Sequence, residues 1–291
     1  MDFYPRYDWD GDESSFNNHI LVLPSVSYAN IGQLAIDCVL NTLLSDAKEH
    51  EDNSIQLAGY LSTSSVPPMA GSCAFTYPSN KATAPSLTVN LELYQIKSKK
   101  QLILQQRTPI LSGKSLQFAT DLMLWAKKCG IAGVYVVAGA NNMLRSDAIQ
   151  SSEGVFTTIG NTEMQIDKTL LHNHSFLERF SSKHTIPEDN SSLKSKIQSK
   201  WKDVKGTGVA PFVAYVAEQM EMPFAALIMV CAEGDNIREA AVMASYVWSF
   251  LKLSVESASK NDDTAHISGL SIRLPPSWSQ MFGSEPNSTL Y

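Results

Sequence analysis

Several short segments carry residue types that could do chemistry. Ser112-Gly-Lys-Ser115 has the form of the end of a phosphate-binding loop. In such a loop backbone amides wrap the phosphates, the lysine neutralises them and the hydroxyl holds a divalent ion. The first glycine of G-x-x-x-x-G-K-[ST] would fall at position 108, which is Thr108, followed by Pro109. Proline has no N–H to offer a phosphate, so Gly113-Lys114-Ser115 reads as a loop that leads into a helix. Gly206 and Gly208 form a second G-x-G before a helical stretch. Helix N-termini attract anions. The third glycine of the dinucleotide pattern is replaced by Pro211, however, and no clear strand precedes it. A flexible loop is expected there, with a small-anion site as the alternative.

His172-Asn-His174 and His184 lie among polar residues. No carboxylate or further histidine stands at ligand spacing, so surface histidines are expected rather than a metal site. Cys38, Cys73, Cys129 and Cys231 are widely spaced and form no CxxC. They read as buried free thiols of a reducing compartment. No G-x-S-x-G is present, which weakens a hydrolase reading. Lys194, Lys196, Lys200, Lys202 and Lys205 surround one aromatic residue, Trp201. That pattern is a solvated helix face or a surface that docks on an acidic protein. No catalytic residue, cofactor or metal ligand emerges. A binding protein is the expectation. The alternative is an α/β enzyme or an anion- or nucleotide-binding protein that uses the Gly113-Lys114-Ser115 or Gly206/Gly208 loops.

The bulk properties agree. Of 291 residues, 44% are hydrophobic and 18% charged, enough for a packed core. The formal net charge of −6 and the lack of a basic stripe give no footprint for nucleic acid. No stretch approaches the roughly 20 apolar residues of a membrane span. Met1 to Ser15 is acidic and aromatic, unlike a signal peptide, and reads with Phe16 as a flexible arm over 1–16.

The elements that must position these residues follow from periodicity. His19 to Leu23 is a short buried strand, and the stripe Ile31, Leu34, Ala35, Cys38, Val39, Thr42 and Leu43 predicts a helix over 31–44, with Ser27 or Asn30 as its cap. A strand is expected at 55–61, and a Ser/Pro/Gly/Ala-rich loop at 62–86. Leu87 to Ile96 and Leu102 to Leu104 read as an antiparallel hairpin across a Lys97–Lys100 turn. Ser115 to Lys128 is helical and ends at Gly130, as a left-handed cap would. Ala132 to Ala138 is apolar on both faces, like a central parallel strand, with a loop from Gly139 to Asn142. Weak helical patterns occur at 168–180 and 193–202. A helix at 210–221, a strand at 224–230 and a long helix from Ile237 to Leu251 complete the pattern. Alternating strands and helices predict one α/β domain over 17–283: a three-layer α/β/α sandwich around a mostly parallel sheet. Loop-rich insertions are expected at 62–86 and 140–210, and a tail at 284–291.

Three motifs together resemble the proteasome assembly chaperone 2 family. They are Ser25-Val-Ser-Tyr-Ala-Asn-Ile-Gly-Gln-Leu-Ala-Ile-Asp37, Glu233-Gly-Asp-Asn236, and Leu274-Pro-Pro-Ser-Trp278 with Met281-Phe-Gly283. Leu124-Trp125 and Gly130 also sit where that family has a Trp-bearing helix and a following strand. The resemblance implies the α/β/α sandwich and a role without catalysis. It implies a heterodimer with proteasome assembly chaperone 1, binding to α subunits of the proteasome core particle, and promotion of α-ring assembly in cytoplasm and nucleus. Members of this chaperone pair can carry a C-terminal hydrophobic–Tyr–any tail that enters pockets between α subunits. Here Thr289, Leu290 and Tyr291 end the chain with the tyrosine last, one place from that pattern.

Overall fold

The computed structural model describes residues 1–49, 55–75, 87–141, 155–160, 197, 201, 204–251 and 272–280. In chain order the elements are β1 (Asp2–Pro5), β2 (Ile20–Pro24), α1 (Ile31–Glu49), β3 (Gln56–Ser62), β4 (Ala70–Ser72) and β5 (Leu87–Val89). Then come β6 (Glu92–Ile96), β7 (Gln101–Gln105), α2 (Ser115–Lys128), β8 (Gly133–Asn141) and β9 (Val155–Gly160). Last are α3 (Ala210–Gln219), β10 (Phe224–Cys231) and α4 (Ile237–Phe250).

Strands that are apolar at nearly every position occupy the middle of the sheet. β7, β2, β8 and β10 lie side by side and are mutually parallel. Alternate residues serve opposite faces. Val134, Val136 and Ala138 of β8 enter one core with Phe118, Leu122 and Met123 of α2 and Phe212 and Val213 of α3. Val137, with Leu227 and Met229 of β10, enters the other core against Ile36, Val39 and Leu40 of α1 and Met243 and Val247 of α4. Two helices on each face give the expected three layers around a mostly parallel central sheet. Antiparallel strands extend it at both edges, in the full order β1-β3-β6-β7-β2-β8-β10-β9.

The hairpin β6–β7 is antiparallel as read, α2 spans Ser115–Lys128 as read, and Gly130 is left-handed with φ 69°. Several readings need correction. Residues 1–16 are no flexible arm. β1 pairs antiparallel with β3, and Phe3, Trp9 and Phe16 pack into the core on the α2 face. Trp9 and Phe16 stack at 5.2 Å, and Phe16 meets the Trp125 ring edge-on at 6.1 Å. An acidic segment with spaced aromatics looks unstructured locally, but its rings cover apolar sheet that α2 and α3 leave open. The 62–86 stretch contains β4, which pairs with β5 in a separate ribbon, and Val66 is buried in the core. Helix α1 continues to Glu49 because Leu44 and Ala47 keep its apolar stripe buried through the polar stretch. Strand β8 runs on to Asn141 through residues read as a loop. The helical patterns at 168–180 and 193–202, apart from Ile197 and Trp201, lie outside the described residues.

Candidate functional site

Ligands of open α/β sheets bind beyond the carboxyl ends of the strands, where successive connections leave in opposite directions. Here that place lies between β2, whose chain turns to α1 on one face, and β8, next to β10. It is filled by the chain itself. The Ser25 hydroxyl donates to the Thr207 carbonyl at 2.7 Å and accepts from the Val209 amide at 2.9 Å. The Tyr28 amide donates to the Gly206 carbonyl and the Asn141 amide to the Lys205 carbonyl, both at 2.9 Å. Gly206 and Gly208 are left-handed, with φ 91° and 62°. A side chain on Gly208 would run into the Ser25 hydroxyl and the Val26 carbonyl. The two glycines thus let residues 204–209 close on the sheet. They form neither a flexible loop nor a free anion cradle, because the Val209 amide an anion would need is taken by Ser25. The Ser27 hydroxyl, expected as a helix cap, accepts instead from the Gly139 amide at 2.8 Å.

The Ser112-Gly-Lys-Ser115 turn is exposed. Gly113 has open space around it and Lys114 Nζ donates to Gln117 Oε1 at 2.7 Å. The lysine therefore lies along its own helix. Nothing in this turn builds a phosphate cradle.

Sequence reasoning missed a buried ion cluster. Asp37, a buried residue of α1 that lies off the apolar stripe, accepts from Arg107 at 2.6 Å and from Gln105 Nε2 at 2.5 Å. Arg107 lies over the Phe75 ring, 5.3 Å from its centre. Glu92, at the start of β6, accepts from the Val89 amide and the Tyr94 hydroxyl, each at 3.0 Å. Gln33 Nε2 adds bonds to the carbonyls of Gln106 and Arg107. Burial pushes both Asp37 and Glu92 above the usual carboxylate range, against the pull of Arg107 on each. Two carboxylates and one guanidinium tie α1, β6 and the end of β7 together. Arg107 Nε and Nη2 are buried without a partner, so the cluster is enclosed rather than open to substrate. The signal was slight: an aspartate flanked in sequence by three apolar residues on each side, Leu34 to Ile36 and Cys38 to Leu40.

The cysteines are poor nucleophiles. Burial drives Cys38 up to about 12, with the Asp37 charge adding to it. It drives Cys129 and Cys231 each up to about 11, and raises Cys73. No group of three or more potential metal ligands occurs among the described residues. Trp201 is buried in the core, so it is not an aromatic presented by a docking surface. His172, His174 and His184, Lys194, Lys196, Lys200 and Lys202, and Thr289, Leu290 and Tyr291 lie outside the described residues.

What leads to the end of the chain is fixed. Asn41 Nδ2 of α1 donates to the carbonyls of Arg273 and Leu274 at 3.1 and 3.0 Å, and the Arg273 amide donates to the Thr42 hydroxyl at 2.9 Å. Arg273 also pairs with Asp46 at 3.3 Å, and Trp278 is buried against the α1–α4 core.

The PAC2 family model matches residues 21–247. A Bos taurus protein named "Proteasome assembly chaperone 2" is 30% identical over 267 residues, covering 91% of each chain. Its Homo sapiens namesake is 28% identical over the same length and coverage. Among solved structures, a Thermoplasma acidophilum protein of unknown function has a TM-score of 0.51 at 14% identity, covering 83% of this chain and 78% of its own. It shares the fold. A family model matched across most of the length and a relative aligned almost end to end give one assignment: the chain belongs to the PAC2 family.

Proposed function

We propose that this chain is a proteasome assembly chaperone. In this reading it heterodimerises with proteasome assembly chaperone 1, binds α subunits of the core particle in cytoplasm and nucleus, and promotes assembly of the α-ring. The observation that carries the reading is the near end-to-end match to relatives named proteasome assembly chaperone 2, at 28–30% identity over 91% of both chains. The structure supports action through surfaces. The crevice where α/β proteins take small ligands is closed by residues 204–209, and the four thiols are held protonated.

Docking to the α-ring is assigned to Thr289, Leu290 and Tyr291. The strap at 272–280 fixes where the segment beyond Gln280 starts, and that segment can reach roughly 35 Å if extended. Leucine and tyrosine offer large apolar contact with few bonds to order. Co-expression with proteasome assembly chaperone 1 should give a one-to-one complex that retains α subunits. Deleting Leu290 and Tyr291 should reduce α-subunit retention and leave the complex intact. A monomer that ignores the sister chain would overturn the reading. The rival reading as a nucleotide-binding protein makes a different demand: micromolar ATP binding that Lys114→Ala abolishes.

A further inference from the structure

The sheet edge at β1 combines features not used by the reading above. Among the described residues no strand pairs with the outer side of β1. The Arg6 amide donates to the Ala58 carbonyl, in register with the β1–β3 ladder. Bonding alternates along such a ladder, so the Phe3 amide and carbonyl and the Pro5 carbonyl point away from β3. Pro5 can donate nothing, which limits any added strand to a short one.

Both sides of this edge are aromatic. Tyr4 is 57% exposed and Tyr7 82% exposed, unusual for rings in a folded segment. The Arg6 guanidinium already lies 5.9 Å from the Tyr7 ring centre. On the side of Phe3 and Pro5 there is an open hollow of about 410 Å³, floored by Trp9 and rimmed by Gly11, Asp12 and Glu13. Gly11 sits so close to the Trp9 ring that any side chain there would strike it.

Most of the charge along this edge is paired. Asp8 is paired with Arg6, Asp10 with Lys97 and Glu13 with Lys128. Asp12 has no basic partner among the described residues. Its carboxylate accepts from the Ser14 hydroxyl and the Ser15 amide, and the Ser14 bond holds it below the usual range.

We propose that this edge binds an extended, basic segment of a partner polypeptide, which adds a short strand to β1 and sets a lysine or arginine side chain in the hollow beside Asp12. Side chains of an added strand alternate between faces. One set reaches the hollow and the other meets Tyr4, and both environments suit a cation over an aromatic ring. The backbone of Phe3 supplies the strand pairing.

The test uses the full chain and an eight-residue peptide alternating lysine and valine, with alternating glutamate and valine as control. Calorimetry should show one-to-one binding of the basic peptide only, weakening as salt rises. Asp12→Asn keeps the turn's cap and should weaken binding about fivefold, and Tyr4→Ala, which removes the ring that the peptide's valines cover, about threefold. Exchange of the Phe3 amide should slow in the complex, which mere charge attraction would not produce. Equal binding of both peptides, undiminished binding by the Asp12→Asn/Tyr4→Ala double variant, or unchanged Phe3 exchange would overturn the proposal. So would a concentration-dependent dimer of the free chain that Tyr4→Ala abolishes, since that would assign the edge to a second copy.

Discussion

The middle of the sheet and its β1-β3-β6 flank are built by different means. In the middle, β7, β2, β8 and β10 are apolar on both faces, and residues 204–209 close on them through backbone contacts at glycine. Among the described residues no ion pair takes part in that closure. The flank is thinner. One face is covered by the rings of Phe3, Trp9 and Phe16, drawn from an acidic segment. The other face carries the Asp37–Arg107 pair with Glu92 close by. The middle depends on shape, and the flank on a few large or charged side chains. Single substitutions should therefore cost more in the flank.

The largest expected loss is at Phe16, fully buried and packed against four aromatic rings. Phe16→Ala should cost about 4 kcal/mol in urea unfolding. Leu124→Ala, at a 53% exposed position of the covering helix, should cost under about 0.5 kcal/mol. A loss below about 1 kcal/mol at Phe16 would mean that residues 1–16 are not part of the fold, and the comparison would break.

Next comes Arg107. Arg107→Met keeps apolar contact with Phe75 but strands Asp37 and Glu92 in the interior. A loss of about 3 kcal/mol is expected. Adding Asp37→Asn and Glu92→Gln should recover most of it, because the three residues act as one unit. Full additivity of the three changes would show that they do not.

The middle should respond at glycine. Gly208→Ala meets both a left-handed φ of 62° and the Ser25 hydroxyl, and should cost about 2 kcal/mol. Gly113→Ala has φ 81° with open space and should cost about 1 kcal/mol. The difference between them measures the closure itself. Equal costs would mean that residues 204–209 gain nothing from touching Ser25 and Val26.

The same contrast explains what could be read in advance. Val134 to Ala138 could only be a central strand, because an apolar run leaves no solvent face. The α2 stripe and Gly130 fixed that helix to the residue. The docking of residues 1–16 was illegible because their partners, Gln95 for the Trp9 indole and Trp125 for Glu13, lie 86 and 112 positions away. Nothing local to residues 1–16 reveals them. The closure by 204–209 failed for a related reason. G-x-G before a helix looks alike whether its amides await a phosphate or meet a serine from position 25. The ion cluster draws on α1, β6 and the end of β7, and only Asp37, charged within an apolar run of sequence, hinted at it.

Glu92 isolates the electrostatic contribution to the flank. Glu92 is buried with both oxygens accepting, and burial raises its pKa above the unfolded value. For such a group the stabilising contribution is fully present below the unfolded pKa, near 4.3. It is lost as pH rises through the folded value. At neutral pH Glu92 is therefore a net liability, lessened by the nearby Arg107 charge. Glu92→Gln keeps an oxygen for the Val89 amide, and the Tyr94 hydroxyl can turn to accept from the new amide. The variant should be more stable than the parent by about 1 kcal/mol at pH 7 to 8. The gap should close as pH falls toward the unfolded carboxylate value, where the parent carries the proton itself. Asp37 shows the same direction of shift, but among the described residues it holds the only ion pair of Arg107, so Asp37→Asn should destabilise at neutral pH. Urea midpoints from pH 4 to 8 separate the cases. A gap between parent and Glu92→Gln that widens on acidification would mean the carboxylate is stabilised by Arg107 more than it is penalised by burial. The flank would then be held by charge outright.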